Sequence, residues 1–317
     1  MKEKRMLEAV KPISQPFLGW LYAFAVICLV AVIIRVGSYI GDAVVWSGIM
    51  LLPSDVIQVL MFTIDPIFVS LLTFVFPGIL VCLWVLLVER RSPVGLGFFR
   101  KKAWLELLKG WLIGSLLIGA VVGLQVITGS IRLFQLQFSL ENILSFILII
   151  PFWFLQSGTE ELLTRGWLFP VVSKHTRLWI GTVVSSLLFA VLHLQNPSIN
   201  WISLLNIGLF GLLACLYVLK TDNIWGVSAI HAAWNCLQGS FFGLNVSGLS
   251  VAYSPMSFTI ENVPEYMSGG LFGPEASLFS SLVMGIYILY LVWDIHRKKE
   301  ELPLSDETTR IEAEKEK

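Results

Sequence analysis

Six side chains able to do chemistry stand in strongly apolar surroundings. Glu160, Glu161 and Arg165 lie in "QSGTEELLTRGWLFP", residues 156 to 170; His193 closes "FAVLH"; His231 and Asn235 bracket "HAAWN". On a helix Glu161 and Arg165 are four residues apart and share a face, so the guanidinium can pair with that carboxylate. Glu160 is turned away by about 100° and is left without this partner. One carboxylate is braced and the other is available. A glutamate and a histidine together can hold and deprotonate a water, and low polarity raises the carboxyl pKa towards neutrality. A second histidine and an asparagine amide can donate hydrogen bonds to an oxyanion. Such a set suits hydrolysis of a peptide bond by water. The same residues also resemble a zinc site, with Glu160, His193 and His231 as ligands and one position open for water. Residue types and spacing leave both mechanisms open. His175 and His296 fall in a turn and at a helix end and are not expected to be catalytic. The HExxH and GxSxG signatures of other hydrolases are missing from the sequence.

The elements that must position these groups are membrane helices. Hydrophobic residues make up 56% of the 317-residue chain and charged residues 14%, with a mean hydropathy of +0.77; soluble domains carry about 25% charged residues. The expected fold is all-α, a polytopic integral membrane helical bundle. Eight spans are predicted, at about 17 to 40, 66 to 88, 104 to 128, 142 to 173, 178 to 197, 201 to 219, 224 to 243 and 276 to 295. An ionisable group within a span costs about 2.5 to 3.5 kcal/mol even on insertion scales, so each is a functional candidate.

The segment from 142 to 173 is long enough for a helix of roughly 48 Å, and Pro151 and Pro170 predict a kink. If it turns back at "KHTR", residues 174 to 177, Glu160 and His193 each lie about sixteen residues from the turn and reach similar depth. His231 enters from the same end, with Asn235 one turn deeper. The cluster is expected roughly 10 to 22 Å from those helix ends.

Lysine and arginine set the expected orientation. They occur before the first span, at 90 to 102, at Lys174 and Arg177, at Lys220, and after the last span. The connections at 41 to 65, 198 to 200 and 244 to 275 have none, and 129 to 141 has only Arg132. Both termini are therefore expected in the cytoplasm. Arg35 and Lys109 are read as snorkelling from span ends. The first span is read as a retained helix, not a cleaved leader. The 41 to 65 connection is apolar enough for an interfacial or re-entrant helix; that at 244 to 275 reads as irregular, and its Asn245 sequon as chance. Cys28, Cys82, Cys215 and Cys236 are read as packing residues. The expected organisation is N-terminal helices at 1 to 139, a core at 140 to 243, a loop and last helix at 244 to 296, and a charged tail at 297 to 317.

The ordered motifs resemble the CPBP intramembrane proteases, the CAAX-protease and bacteriocin-processing family also called Abi or Rce1-type. EExxxR is read as Glu160 to Arg165, FxxxH as Phe189 to His193, and HxxxN as His231 to Asn235. The resemblance covers about 140 to 243, and "GGLFGPE" at 269 to 275 looks like a segment of bacterial members with no chemistry attached. It implies that Glu160 and His193 activate water, that His231 and Asn235 stabilise the oxyanion, and that Glu161, Arg165 and Phe189 support the site. It implies a core opening to the cytoplasmic side and a hydrolase, labelled metalloendopeptidase or glutamate-type peptidase. A glutamate mechanism without obligatory zinc is the expectation taken. The implied partners are a membrane-associated peptide or protein substrate and the lipid bilayer, with no nucleic acid; the bacterial look favours membrane-peptide processing over prenyl-protein cleavage. Two other classes compete: a non-catalytic scaffold or regulator, for instance in bacteriocin immunity, and a proton-relay transporter, disfavoured because no inverted repeat is visible. Substrate, cleavage site and oligomeric state are not legible.

Overall fold

The computed structural model describes residues 5–63 and 66–315, with side chains described for 5–58 and 66–297. Its apolar runs fold into long helices whose ends follow the local breakers. Helix α1, Pro16–Met50, opens with a proline in its first turn, where no amide hydrogen is needed. A ten-residue helix α2, Ser54–Thr63, follows, then α3, Pro66–Leu87, and α4, Ala103–Ile127. Helix α5, Leu140–His175, starts where Ser139 Oγ accepts the Asn142 amide at 3.2 Å. Helices α6, Leu178–Leu192, and α7, Trp201–Thr221, follow, the second capped reciprocally by Asn200 and Ser203. Helix α8, Trp225–Cys236, runs into a π turn, Leu237–Phe241, and α9 is Leu278–Lys315.

A helix stands at each of the eight expected places, but among the described residues six are long and apolar enough to cross a membrane: α1, α3, α4, α5, α7 and the Leu278–Arg297 part of α9. The other two are shorter for separate reasons. Helix α6 stops at Leu192 because Asn196-Pro197 ends the run, so His193 is a C-terminal cap and not a mid-helix residue. Helix α8 is buried all round from Gly226 to Cys236, as befits a helix surrounded by protein. It lies directly on α4. A Cβ on Gly110 would sit 2.1 Å from the Gly226 carbonyl oxygen, and one on Gly114 2.3 Å from that of Ile230. This small-residue contact fixes the depth of His231 and Asn235.

Two further expectations are corrected, and the tail gains a secondary structure. The first helix continues to Met50, so residues 41 to 50 are not a connection; Arg35 is therefore mid-helix, where its Nη2 donates to Gln195 Oε1 at 2.6 Å. The apparently irregular 244 to 275 segment contributes a strand, β2 (Met256–Ile260), which pairs antiparallel with β1 (Ile131–Leu136) from Ile131↔Ile260 to Leu136↔Met256, with a bulge between Leu133 and Gln135. Its Phe258, Thr259 and Ile260 favour a strand once a partner edge is present. The charged segment after Arg297 continues α9 as helix to Lys315.

The basic connections meet at one end of the bundle. Arg5 Nε pairs with Asp222 Oδ2 at 3.0 Å, Lys11 Nζ donates to the Arg90 carbonyl at 2.9 Å, and Lys220 Nζ pairs with Asp294 Oδ2 at 2.9 Å. At the other end the 244–277 segment folds over the close of α6, where Asn196 Nδ2 donates to the Ser247 carbonyl at 3.3 Å.

Candidate active site

Helix α5 changes pitch at its chemistry. Residues 162–168 form a π turn directly after Glu161, and Arg165 lies within it. The turn closes just before Pro170, whose ring has no N–H for residue 166, so the expected kink takes the form of a widened turn. The Phe169 amide reaches the Thr164 carbonyl, which Ser185 Oγ of α6 also bonds at 3.0 Å. The two helices of the hairpin are thereby registered at the site.

The braced carboxylate is where spacing placed it. Glu161 Oε1 accepts Arg165 Nη1 at 3.1 Å, and both side chains are fully buried. The same oxygen takes His231 Nδ1 at 3.0 Å. Because a carboxylate accepts, the Nδ1 proton belongs to His231, and its Nε2 faces Glu160, 3.9 Å from Oε2. Arg165 is held from two further sides: Nη1 donates to Thr164 Oγ1 at 2.8 Å, and its guanidinium stacks 4.3 Å from the Phe189 ring centre. Phe189 also meets both histidines edge-on, with ring centroids 4.7 Å from His193 and 5.9 Å from His231.

His193 has its tautomer set by backbone. Its Nδ1 lies 2.7 Å from the Phe189 carbonyl oxygen, which can only accept. The proton is on Nδ1 and the Nε2 lone pair is available as a base or water acceptor. Glu160 is oriented by a residue the sequence reading passed over: Gln156 Nε2 donates to Glu160 Oε1 at 2.6 Å, while Gln156 Oε1 accepts Asn235 Nδ2 at 3.2 Å and Ser157 Oγ at 2.9 Å. The i, i+4 spacing from Glu160 was the available signal. Glu160 Oε2 is buried, and among the described residues no protein group donates to it.

All of this faces one cavity. Glu160, Phe189, His193, His231 and Asn235 line it together with Gln156 and Thr164, against apolar walls that include Ile67, Leu71, Trp153, Phe210 and Trp234. Glu161 and Arg165 stand behind the wall. Ser247 and Glu275 of the 244–277 segment complete the cavity; the "GGLFGPE" run had pointed to that glutamate without a role for it. His175 packs on Tyr22, with ring centroids 5.7 Å apart, and His296 is exposed. The four cysteines are free thiols.

Among the described residues no three His, Cys, Asp or Glu side chains come close enough together to hold a metal ion. His231 Nδ1 is committed to Glu161 and His193 Nδ1 to backbone, which leaves the two Nε2 atoms and Glu160 Oε2 as the atoms that would hold a metal.

Residues 141–237 match the family model described as type II CAAX prenyl endopeptidase, Rce1-like. This segment is an Rce1-like domain. It runs from the first turn of α5 to the end of α8 and holds all seven of the expected site residues, whereas Glu275 lies outside it. The match covers under a third of the chain, and the six long apolar helices around it fit a multi-pass helical membrane bundle. Comparisons with curated proteins and with solved structures return no match.

Proposed function

We propose that this chain is an intramembrane endopeptidase that hydrolyses membrane-associated peptides or proteins with a water activated by Glu160 and His193. The supporting observation is the state of Glu160: one carboxylate oxygen is fixed by Gln156, and the other is buried, faces the cavity and receives no protein donor. Water bonded to Oε2 and to the His193 lone pair gives its proton to Glu160 as its oxygen attacks the peptide carbonyl. The oxyanion that forms is met by the Asn235 amide and by His231 Nε2. For this His231 carries two protons, Nδ1–H directed at Glu161 and Nε2–H at the oxyanion. Glu160 then passes the proton to the leaving amine, the C–N bond breaks, and the site returns to its starting state. Glu161, Arg165 and Phe189 act as positioning residues.

The Rce1-like family's description concerns prenylated CAAX substrates; for this chain we favour processing of bacterial membrane peptides. Clustering of Lys and Arg connections at one end supports an orientation with the segments before α1 and after α9 in the cytoplasm. The test compares peptide termini by mass spectrometry in membranes of cells making wild type or Glu160→Gln at matched levels. New termini confined to the wild type are expected. Identical termini together with an unchanged cellular phenotype would favour a scaffold or regulator instead. Retention of activity by the purified enzyme in chelator is expected; its loss, restored by zinc, would replace the glutamate mechanism with a metal-assisted one.

A further inference from the structure

The Rce1-like domain does not close its own cavity. The 244–277 segment brings Ser247 and Glu275 to the wall that Glu160, His193 and His231 share. Glu275 sits in a 3-10 turn, Pro274–Ala276, whose position is set by Asn206 of α7: its Nδ2 donates to the Glu275 carbonyl at 2.7 Å and to that of Ser277 at 2.9 Å. Gly273 precedes the turn with φ 111°, and a Cβ there would meet the Asn245 carbonyl oxygen at 2.1 Å. The backbone is committed to presenting this side chain.

The carboxyl itself is used asymmetrically. The amide and the hydroxyl of Ser247 donate to the same oxygen, Oε2, at 2.9 and 2.8 Å. None of the described hydrogen bonds uses Oε1. Burial pushes the Glu275 pKa up to about 7, outweighing the two bonds from Ser247; the charges of His231 and Glu160 also reach it. A group that only fastened the loop would do so at lower cost as a neutral amide.

We infer that Glu275 Oε1 is a recognition group of this cavity, accepting a hydrogen bond from a backbone N–H of the peptide whose scissile bond lies at Glu160. This rests on the proteolytic reading for the identity of the ligand. A peptide held at Glu160 and again at Glu275 has its register set by two anchors from different parts of the chain, one in the helical domain and one in the segment outside it. Ser247 is the residue that aims the carboxyl.

The test uses the full chain in lipid nanodiscs at pH 8, where Glu275 is ionised, and a fluorescent CAAX-type peptide with a farnesylated cysteine as probe. In Glu275→Gln the amide oxygen takes over both Ser247 bonds, so an NH2 group faces the cavity where an acceptor stood. Measured on the cleavage-blocked Glu160→Gln background, addition of Glu275→Gln is expected to weaken probe binding about tenfold, and Ser247→Ala two- to threefold. On the active background the same change raises KM by a similar factor and leaves kcat in place. Thermal midpoint is expected to hold or rise. Unchanged affinity, or a fallen thermal midpoint with unchanged affinity, would make Glu275 a loop fastener and overturn the inference. A drop in kcat at constant KM would also overturn it, in favour of a proton-transfer role. If wild type neither cleaves the probe nor yields membrane-peptide termini absent from Glu160→Gln cells while the binding contrast is present, the proteolytic reading fails and the Glu275 subsite stands.

Discussion

The two halves of the cavity treat their polar groups differently. Behind the wall, Glu161, Arg165, Thr164, Phe189 and the Nδ1 side of His231 form a closed set in which one carboxylate oxygen takes two donors and the guanidinium lies on an aromatic face. On the open half, Glu160, His193 and Glu275 line the cavity, each held by a bond through one atom, while Glu160 Oε2, His193 Nε2 and Glu275 Oε1 take part in none of the described hydrogen bonds. The adjacent glutamates illustrate the division most directly: Glu161 is fully buried, while the Glu160 side chain keeps 13% of its surface. Groups that react must be left unsatisfied, and they stay in place only because the neighbouring half is satisfied and rigid.

Breaking the open half alone has the largest expected effect on activity. Glu160→Gln removes the base while preserving the Gln156 contact, and kcat should fall at least about 10³-fold with little change in thermal midpoint. A variant with substantial residual cleavage would mean that Glu160 is not the base. Breaking the closed half should damage fold and function together. Arg165→Ala leaves the Glu161 carboxylate buried beside His231 without its cation, a destabilisation of about 3 to 5 kcal/mol, read as a large fall in thermal midpoint in detergent. Normal stability there would show that the two halves are not divided as described.

Smaller changes sharpen the division. Gln156→Ala frees one oxygen of Glu160 and one contact of Asn235, so kcat should drop about tenfold with KM nearly unchanged. The least effect is a pH-dependent one at Glu275. Its folded-state pKa, about 7, lies above the usual 4.5, so its contribution to stability is full below about pH 4.5 and is lost as pH rises through 7. Glu275→Gln has no such loss. The variant should match wild type below pH 4.5 and exceed it by a few degrees in thermal midpoint above pH 7; a gap of the same size at both pH values would contradict the assigned titration.

Much of the closed half was legible because it is local. Glu161 and Arg165 are one helical turn apart, and that pair forms even though the turn between them is widened. The hairpin count that placed Glu160 level with His193 also holds, since both line one cavity. Gln156 was equally local and was passed over. The open half depends on distant chain. Nothing near residue 275 signals that Asn206 will hold its backbone and Ser247 its carboxyl at the cavity wall, and the strand at 256–260 exists only because 131–136 offers it an edge.

By itself the sequence determined the class of molecule, the places of its helices, the basic end of the bundle and the candidate residues that those helices bring together. Each follows from short-range rules: the length of an apolar run, the cost of a charge within it, the period of a helix. Tertiary structure decided which atoms of those residues are used. Helix α8 is a core helix because Gly110 and Gly114 let α4 lie against its backbone, the histidine tautomers follow from a carbonyl and a carboxylate on other turns or helices, and Glu275 joins the site because a separate segment folds back over it. Donors and acceptors must meet within about 3 Å, and that accuracy comes from packing between distant parts of the chain.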